Sequence, residues 1–589
     1  MHEHTQKEED FDIRKIFVPF TTTKAIHWLI IIGLIVFFNA LFGNFVLDDV
    51  AYIIAYPDFH NLSFWELIKT NLYNSGGQYR PIAALYFFTL YNAFGNISFF
   101  YHLPQIVFHI INSILLFLVF KKFFNKPLSF VLSIIFLIHP IQVESVSYIA
   151  ATDNSLFFLF GITALLLSLN KKISLQKIIL IFALLALSLF SKETGFLFLF
   201  IIVLSRILFY KNQLKSFIIS GSLTILVYFM VRFGIAGVYF ANLTGVPINN
   251  LSLAQKLINT PAIIFYYLNT FFFPLTLAVN QNWIITKISF SSFYFPLFID
   301  LIFFFLLGLI GWYVYKKNRK TFPTFLFFLS WFLSGLALNL QLIPLDMTVS
   351  DKWFYFPIAG LLGILGICLT FIIHKNKRLD KILYFIGLLI FILLSTRTII
   401  RNSNWSNALT LYTHDIKIRD NGQLENYLGD IYINEHDYQK ALNAYKKAME
   451  LEPTMGVLYN IAGTYLTMND IPDAELYYSK TISWNGSVNV NEDIVKEYSY
   501  LDLGNLFLRH GPVMGALKII KSGLIHYPRD GLLWEEYAIS LYRLGNDKEA
   551  LVAIPNAKTL HQNIQIETLY KIIVAKKPLS SKYESVLFN

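Results

Sequence analysis

Two adjacent carboxylates, Asp48-Asp49, stand directly after the first long apolar run of the chain. Neighbouring carboxylates repel, which raises the proton affinity of one of them towards a range useful for a general base. Such a pair can also hold a divalent cation together with a phosphate. The plainer alternative is a solvated end of a membrane span. Further along, Arg80 and Lys192 carry charges suited to a phosphate, and the equally available alternative is an ion pair with Asp48, Asp49 or Glu193. His139-Pro140 reads as a helix end with a satisfied imidazole or as a site residue, and Glu144 as a loop carboxylate or a site residue. Asp351 and Lys352 follow a later apolar run. Ionisable groups at membrane depth are costly, which makes each of these a functional candidate.

The elements that must position them are membrane helices. The 589-residue chain is 55% hydrophobic, with a mean hydropathy of +0.52, and the apolar excess lies before residue 400. Spanning needs about 20 apolar residues. Runs centred in 26–45, 102–120, 128–143, 154–170, 176–190, 194–210, 216–233, 261–279, 293–315, 322–342, 353–373 and 381–396 are candidates. Basic clusters around Lys121-Lys122, Lys171-Lys172, Lys211, Lys316-Lys317 and Lys377-Arg378 choose among them, because short Lys/Arg-rich loops stay in the cytoplasm. All five fall inside if 261–279 does not cross. The expectation is therefore about eleven spans, with a re-entrant or interfacial segment over 237–292. It divides the chain into a cytoplasmic tail (1–24), a transmembrane domain (25–398) with a first outer loop (46–101), an outer soluble domain (399–575) and a tail (576–589). No signal peptide is read at the N-terminus; the run Ile26–Phe42 reads as an uncleaved first span. The formal charge of +10 follows from lysines that flank spans and calls for no nucleic acid. The single Cys, Cys368, excludes an intramolecular disulfide and a Cys-based metal site.

After residue 400 the composition is that of a soluble helical protein, and it repeats. Tetratricopeptide repeats recur every 34 residues or so, as two helices with small residues where they pack. Leu428-Gly429, Tyr432, Ala441, Tyr445, Ala448 and Pro453 fit one unit, and Ala462, Tyr465, Ala474 and Tyr478 a second. Leu503-Gly504, Phe507, Ala516 and Pro528 fit a third; Trp534, Ala538, Leu541, Ala550 and Ala557 fit a fourth. All of these are packing positions, and such arrays offer a concave surface to an extended peptide.

The order of motifs resembles a known family. Phe45-Val46-Leu47-Asp48-Asp49 is followed by Tyr79-Arg80-Pro81, by Tyr101-His102-Leu103 with His109 and Asn112, and by His139-Pro140-Ile141-Gln142-Val143-Glu144. Ser191-Lys192-Glu193, Pro261, Asp351-Lys352-Trp353-Phe354-Tyr355-Phe356-Pro357 and the repeats complete it. This order is similar to that of the transmembrane and tetratricopeptide-repeat containing protein O-mannosyltransferases and their bacterial relatives. The resemblance implies an all-α fold, a polytopic membrane domain of GT-C type followed by a repeat α-solenoid. It also implies transfer of mannose or another hexose, with inversion, from a polyprenyl-phosphate donor to a protein hydroxyl on the outer face. Asp48 or Asp49 would be the base, and Arg80, Lys192 and Lys352 would hold the donor phosphate. His102, His139, Glu144, Glu193 and Asp351 are further site candidates. No cofactor is firmly implied, although a divalent metal remains open. The implied partners are the lipid-linked sugar, a polypeptide acceptor or envelope protein on the repeats, and the membrane. The implied place is a bacterial inner membrane with the repeats in the periplasm or outside the cell, or an ER membrane with luminal repeats. Two positions depart from the family pattern: Ala151-Thr152-Asp153-Asn154 lacks an Arg, and Lys352-Trp353 stands where Arg-Tyr is usual. The alternatives are a non-catalytic scaffold and a related enzyme acting on a lipid or glycan.

Overall fold

A computed structural model describes residues 20–54, 62–69, 77–239, 246–342, 345–372, 377–486, 490–560 and 564–579. The chain forms two compact units, Met1–Arg419 and Asp420–Asn589. The described residues are helical throughout, apart from loops and one isolated antiparallel bridge between Gln281 and Val349.

Among the described residues of the first unit six helices are long and apolar enough to cross a membrane: Phe99–Phe120, Ile149–Ser168, Glu193–Tyr210, Leu214–Ile235, Phe290–Lys317 and Asp380–Asn404. A seventh arises if Lys126–Ile138 and Pro140–Ser147, bent by 51° at His139, count together. This is fewer than the eleven spans expected. The remaining expected spans exist as helices, but Thr22–Val36, Leu175–Ser191, Phe322–Leu338 and Pro357–Ile372 are only 10–17 residues long. At about 1.5 Å per residue such helices fall short of a hydrocarbon core of ~30 Å. Leu253–Phe272, within 237–292, is not among the candidates. It opens with a capping box, Ser252 and Gln255 satisfying each other's backbone N–H.

Local chemistry explains the breaks. The Asn125 side chain caps Lys126–Ile138 by accepting from the Leu128 N–H at 3.0 Å. The helix stops where Pro140, which has no N–H and crowds the preceding backbone, follows. His139 then caps the next turn: its Nδ1 accepts from the Ile141 N–H at 3.2 Å. Aromatic side chains fill the interior, with Phe328 against Phe120, Phe123, Phe124 and Trp331. Glycines let Pro357–Ile372 approach Phe322–Leu338. A Cβ on Gly360 would lie 2.4 Å from the Phe332 amide nitrogen and 2.8 Å from the Phe328 carbonyl oxygen. These are backbone atoms and cannot turn aside. Gly360→Ala is therefore expected to destabilise the unit by about 1–3 kcal/mol, read as a lower thermal unfolding midpoint in detergent.

The second unit is a row of helix pairs: Gly422–Asn434 with Tyr438–Leu451, Met455–Thr467 with Ile471–Ile482, Val490–His510 with Val513–His526, and Gly531–Arg543 with Asp547–Leu560. Ile564–Val574 follows. Three of the pairs turn alike. His436 (φ 60°), Asn469 (φ 60°) and Gly545 (φ 80°) each take the left-handed conformation between the two helices. Ala441, Ala448, Ala462, Ala474, Ala516, Ala538, Ala550 and Ala557 are fully buried at the helix contacts. The repeat pattern read from the sequence is thus present.

Candidate active site

The chain leaves Thr22–Val36 through a short turn, and Leu47 takes a left-handed φ of 53°. That turn separates the two aspartates. Asp49 is fully buried; its Oδ2 accepts from the Val46 N–H at 3.0 Å and its Oδ1 from the Ala150 N–H at 2.6 Å. Asp48 is exposed, and its backbone N–H donates to the Tyr148 hydroxyl at 3.3 Å. Burial, together with the Asp48 charge, pushes the Asp49 carboxyl up to about 8, against the pull of the Val46 and Ala150 amides. Asp49 thus fastens the loop that presents Asp48, and the pair does not act as two equivalent carboxylates.

The sign of the pH dependence follows. A carboxyl raised from about 3.9 in the unfolded chain to about 8 in the folded one binds its proton more tightly when folded. Its contribution to stability is complete below pH 4 or so and is lost as pH rises through 8. Asp49→Asn removes this dependence. The loss of thermal stability between pH 6 and pH 9 should be smaller in the variant than in wild type.

Next to this turn lies a charge cluster in which Asp153, Lys192 and Arg232 are buried and Arg80 and Glu193 are half-buried. Arg80, at the start of Pro81–Phe94, pairs through Nη1 with Asp153 Oδ2 at 2.5 Å and through Nε with Glu193 Oε2 at 3.2 Å. Lys192 Nζ lies 3.3 Å from the same Asp153 oxygen and donates to Asn154 Oδ1 at 2.7 Å. Arg232 Nη1 holds the other Glu193 oxygen at 3.2 Å, and the Tyr79 N–H donates to that same oxygen at 2.8 Å. Arg80 and Lys192 therefore form ion pairs, as one of the two open readings had it: Arg80 with Glu193, as that reading allowed, and both with Asp153, but neither with Asp48 or Asp49. Burial lowers the Lys192 ammonium to about 8, and the charges of Arg80 and Lys352 add to this against the pull of Asp153.

Lys352 enters from the other side. Its ammonium is 3.5 Å from Glu144 Oε1 and 5.1 Å from the centre of the Tyr148 ring. Glu144 also accepts from the Ser350 hydroxyl at 2.7 Å and from the Lys352 N–H at 3.1 Å. Burial opposes the charge on Lys352, yet Glu144, Asp346, Asp48 and Asp153 together hold it above its usual range. Asp351 accepts from the Tyr266 hydroxyl at 2.5 Å; burial and the Glu144 charge push it up to about 8.

The two histidines play a different part. His102 Nε2 meets the Gly43 carbonyl at 3.1 Å. His139 Nε2–H donates to the Phe271 carbonyl at 2.9 Å, so with Nδ1 accepting from Ile141 both ring nitrogens are engaged by backbone. Among the described residues no three His, Cys, Asp or Glu side chains gather as a metal-ligand set.

The arrangement brings Asp48, Arg80, Lys192 and Lys352 into one neighbourhood, joined through Tyr148 and Asp153. Asp153 was legible as an acidic residue beside an apolar stretch, whereas Tyr148, Asn154, Tyr266 and Ser350 are parts of the site that the reading of motifs did not single out. Tyrosine and serine at such positions have no pattern of their own to mark them.

Comparison with known proteins matches these parts. Residues 79–233, which include Arg80, Glu144, Asp153, Lys192 and Arg232, match the family described as dolichyl-phosphate-mannose-protein mannosyltransferase. Residues 423–455 match the tetratricopeptide repeat. A mouse protein O-mannosyl-transferase, TMTC3, is 24% identical over 80% of this chain and 55% of its own length. A protein O-mannosyl-transferase of Caenorhabditis elegans, F38B6.6, is 22% identical over 72% of this chain and 62% of its own. Human TMTC3 is 24% identical over 76% of this chain and 54% of its own. The chain thus spans little more than half the length of these curated relatives. Mannosyltransferase-type segment and tetratricopeptide repeats stand in one polypeptide, and the chain resembles the transmembrane and tetratricopeptide-repeat containing protein O-mannosyltransferases through both.

Proposed function

We propose that the chain is a multi-pass membrane glycosyltransferase that moves a hexose, mannose first among the candidates, from a polyprenyl phosphate to a protein hydroxyl. The observation that carries this reading is the convergence of Arg80, Lys192 and Lys352 beside an exposed Asp48. Arg80 and Lys192 share the Asp153 carboxylate and Lys352 pairs with Glu144, so the site offers charged N–H donors to a phosphodiester whose phosphate leaves as a monoester dianion.

In the proposed reaction the Asp48 carboxylate takes the proton of a serine or threonine hydroxyl. The hydroxyl oxygen forms a bond to the anomeric carbon as the bond from that carbon to the phosphate oxygen breaks. The electron pair leaves with the polyprenyl phosphate, whose growing charge is met by the three cations. Attack opposite the leaving group inverts the anomeric centre. Asp49 positions Asp48, and Tyr148 links the base side to the cation side. The repeats hold the polypeptide acceptor. Placing both the site and the repeats on the outer face of the membrane, with Leu253–Phe272 lying along that face, belongs to the same proposal and rests on the distribution of basic loops.

Lys352→Met tests the phosphate role, because it keeps the stem and removes the charge. Loss of a charged contact worth about 1.5–3 kcal/mol predicts a KM for the lipid donor about 10–100-fold higher. Initial rates against donor concentration measure it. An unchanged donor KM would remove Lys352 from the site.

A further inference from the structure

In the repeat unit the first helices of the third and fourth pairs, Val490–His510 and Gly531–Arg543, pack side by side and bring Asp502, Glu535 and Glu536 to one corner. Asp502 is held in place: the Tyr459 hydroxyl donates to its Oδ2 at 2.7 Å. Glu536 reaches over Gly504, where a Cβ would come within 2.8 Å of its Oε2. That oxygen and Glu535 Oε1 are buried without a hydrogen-bond partner. Glu535 and Glu536 are only 3% and 6% exposed. Burying a carboxylate without a partner is expensive, and native proteins normally pair it.

The same array shows the paired alternative. Glu425, also buried, has the Lys447 ammonium at 2.6 Å. The ion pairs of the array join Lys440 to Asp437, Lys447 to Asp420 and Glu425, and Lys558 to Glu567. Among the described residues none reaches Asp502, Glu535 or Glu536. Burial and mutual repulsion push Glu536 well above the usual carboxylate range, so an arriving positive charge would relieve a real cost. A metal ion fits less well, since no three carboxylates among the described residues converge as ligands.

We propose that the Asp502, Glu535 and Glu536 corner is a seat for a cationic side chain, lysine or arginine, of an extended polypeptide lying along the first helices. This deepens the reading of the repeats as the holder of the acceptor and rests on it. The first helices line the inner surface in arrays of this kind. The corner therefore gives the array a preference for basic segments, where the packing residues alone give none.

The test uses the full chain in nanodiscs, without sugar donor. Two fluorescent peptides of about a dozen residues share a Gly/Ser/Thr frame; one carries Lys at alternate positions and the other Gln. The Lys peptide is expected to bind at least about tenfold more tightly, with a preference that fades as salt rises. The double change Asp502→Asn, Glu536→Gln should abolish that preference and leave binding of the Gln peptide and the unfolding midpoint unlowered. Gly504→Ala, whose Cβ crowds Ile520 Cγ1 at 2.7 Å and the Glu536 carboxylate at 2.8 Å without removing charge, should weaken it as well. Equal binding of the two peptides by wild type, or a preference that survives both variants, would overturn the proposal. Because no donor is present, either result is independent of whether the chain transfers sugar.

Discussion

Asp48→Asn should lower sugar transfer by about 10²–10⁴-fold, the range that a positioned general base supplies. The side chain is exposed and its neighbour Asp49, not Asp48, fastens the loop through Val46 and Ala150. The change therefore costs the fold little, and the unfolding midpoint should stay within a degree or two of wild type. Asp49→Asn is expected to behave otherwise. An amide offers one acceptor where two N–H groups need two, so the variant should lose stability, by about 1–3 kcal/mol below pH 8, and lose transfer only through a displaced Asp48. Measuring transfer and unfolding side by side for the two variants separates base from fastener. If Asp49→Asn lost all transfer with an unlowered midpoint, while Asp48→Asn kept it, the two roles would have to be exchanged.

The largest expected effect on stability lies at Arg401. It sits near the end of the last apolar helix, fully enclosed, and holds Asp415 of Ala408–Ile418 with two hydrogen bonds, Nη1 to Oδ1 at 2.7 Å and Nη2 to Oδ2 at 3.1 Å. Asp415 accepts in addition from the Val279 N–H at 2.8 Å and from His414 Nδ1 at 2.6 Å. Burial opposes the Asp415 charge, and Arg401 more than compensates, holding the carboxyl below its usual range. Arg401→Ala leaves that carboxylate buried and stripped of its counter-charge. Breaking a buried pair from one side costs about 3–5 kcal/mol, a large part of the stability of an ordinary domain. The variant should unfold well below wild type, and Arg401→Ala with Asp415→Asn should recover part of the loss. An equal loss in single and double variants would show that the pair is not the source.

These residues also mark how far the sequence could be read. The repeat unit was legible almost in full, because alanines and glycines at fixed spacing have one packing meaning and the helices sit where that meaning puts them. Each expected apolar span became a helix. Their lengths were not legible, since polar residues such as His139 and Asn339 stand where helices end, and hydropathy averages them away. At the site the charged residues stood out, but of their pairings only that of Arg80 with Glu193 was among those read. The turn through Leu47 decides which aspartate faces water, and nothing in Asp48-Asp49 encodes it by type. The absent Arg before Asp153 likewise gains its sense only in three dimensions, where Arg80 and Lys192 both take Asp153 as partner. Arg401 and Asp415 lie fourteen residues apart on either side of a bend, too far for helical spacing to suggest a contact.

The central claim is that a carboxylate base and three converging cations perform transfer from a lipid phosphate. It is tested most directly by supplying the purified full chain with radiolabelled polyprenyl-phosphate mannose and a protein acceptor extract, beside Asp48→Asn and Lys352→Met. The account predicts label in protein with wild type, near-background label with Asp48→Asn, and label with Lys352→Met that recovers as donor concentration rises. Folded wild-type protein that transfers nothing from this donor or from a panel of other polyprenyl-phosphate sugars, to protein or to lipid, would contradict it and leave a membrane scaffold with a peptide-binding array.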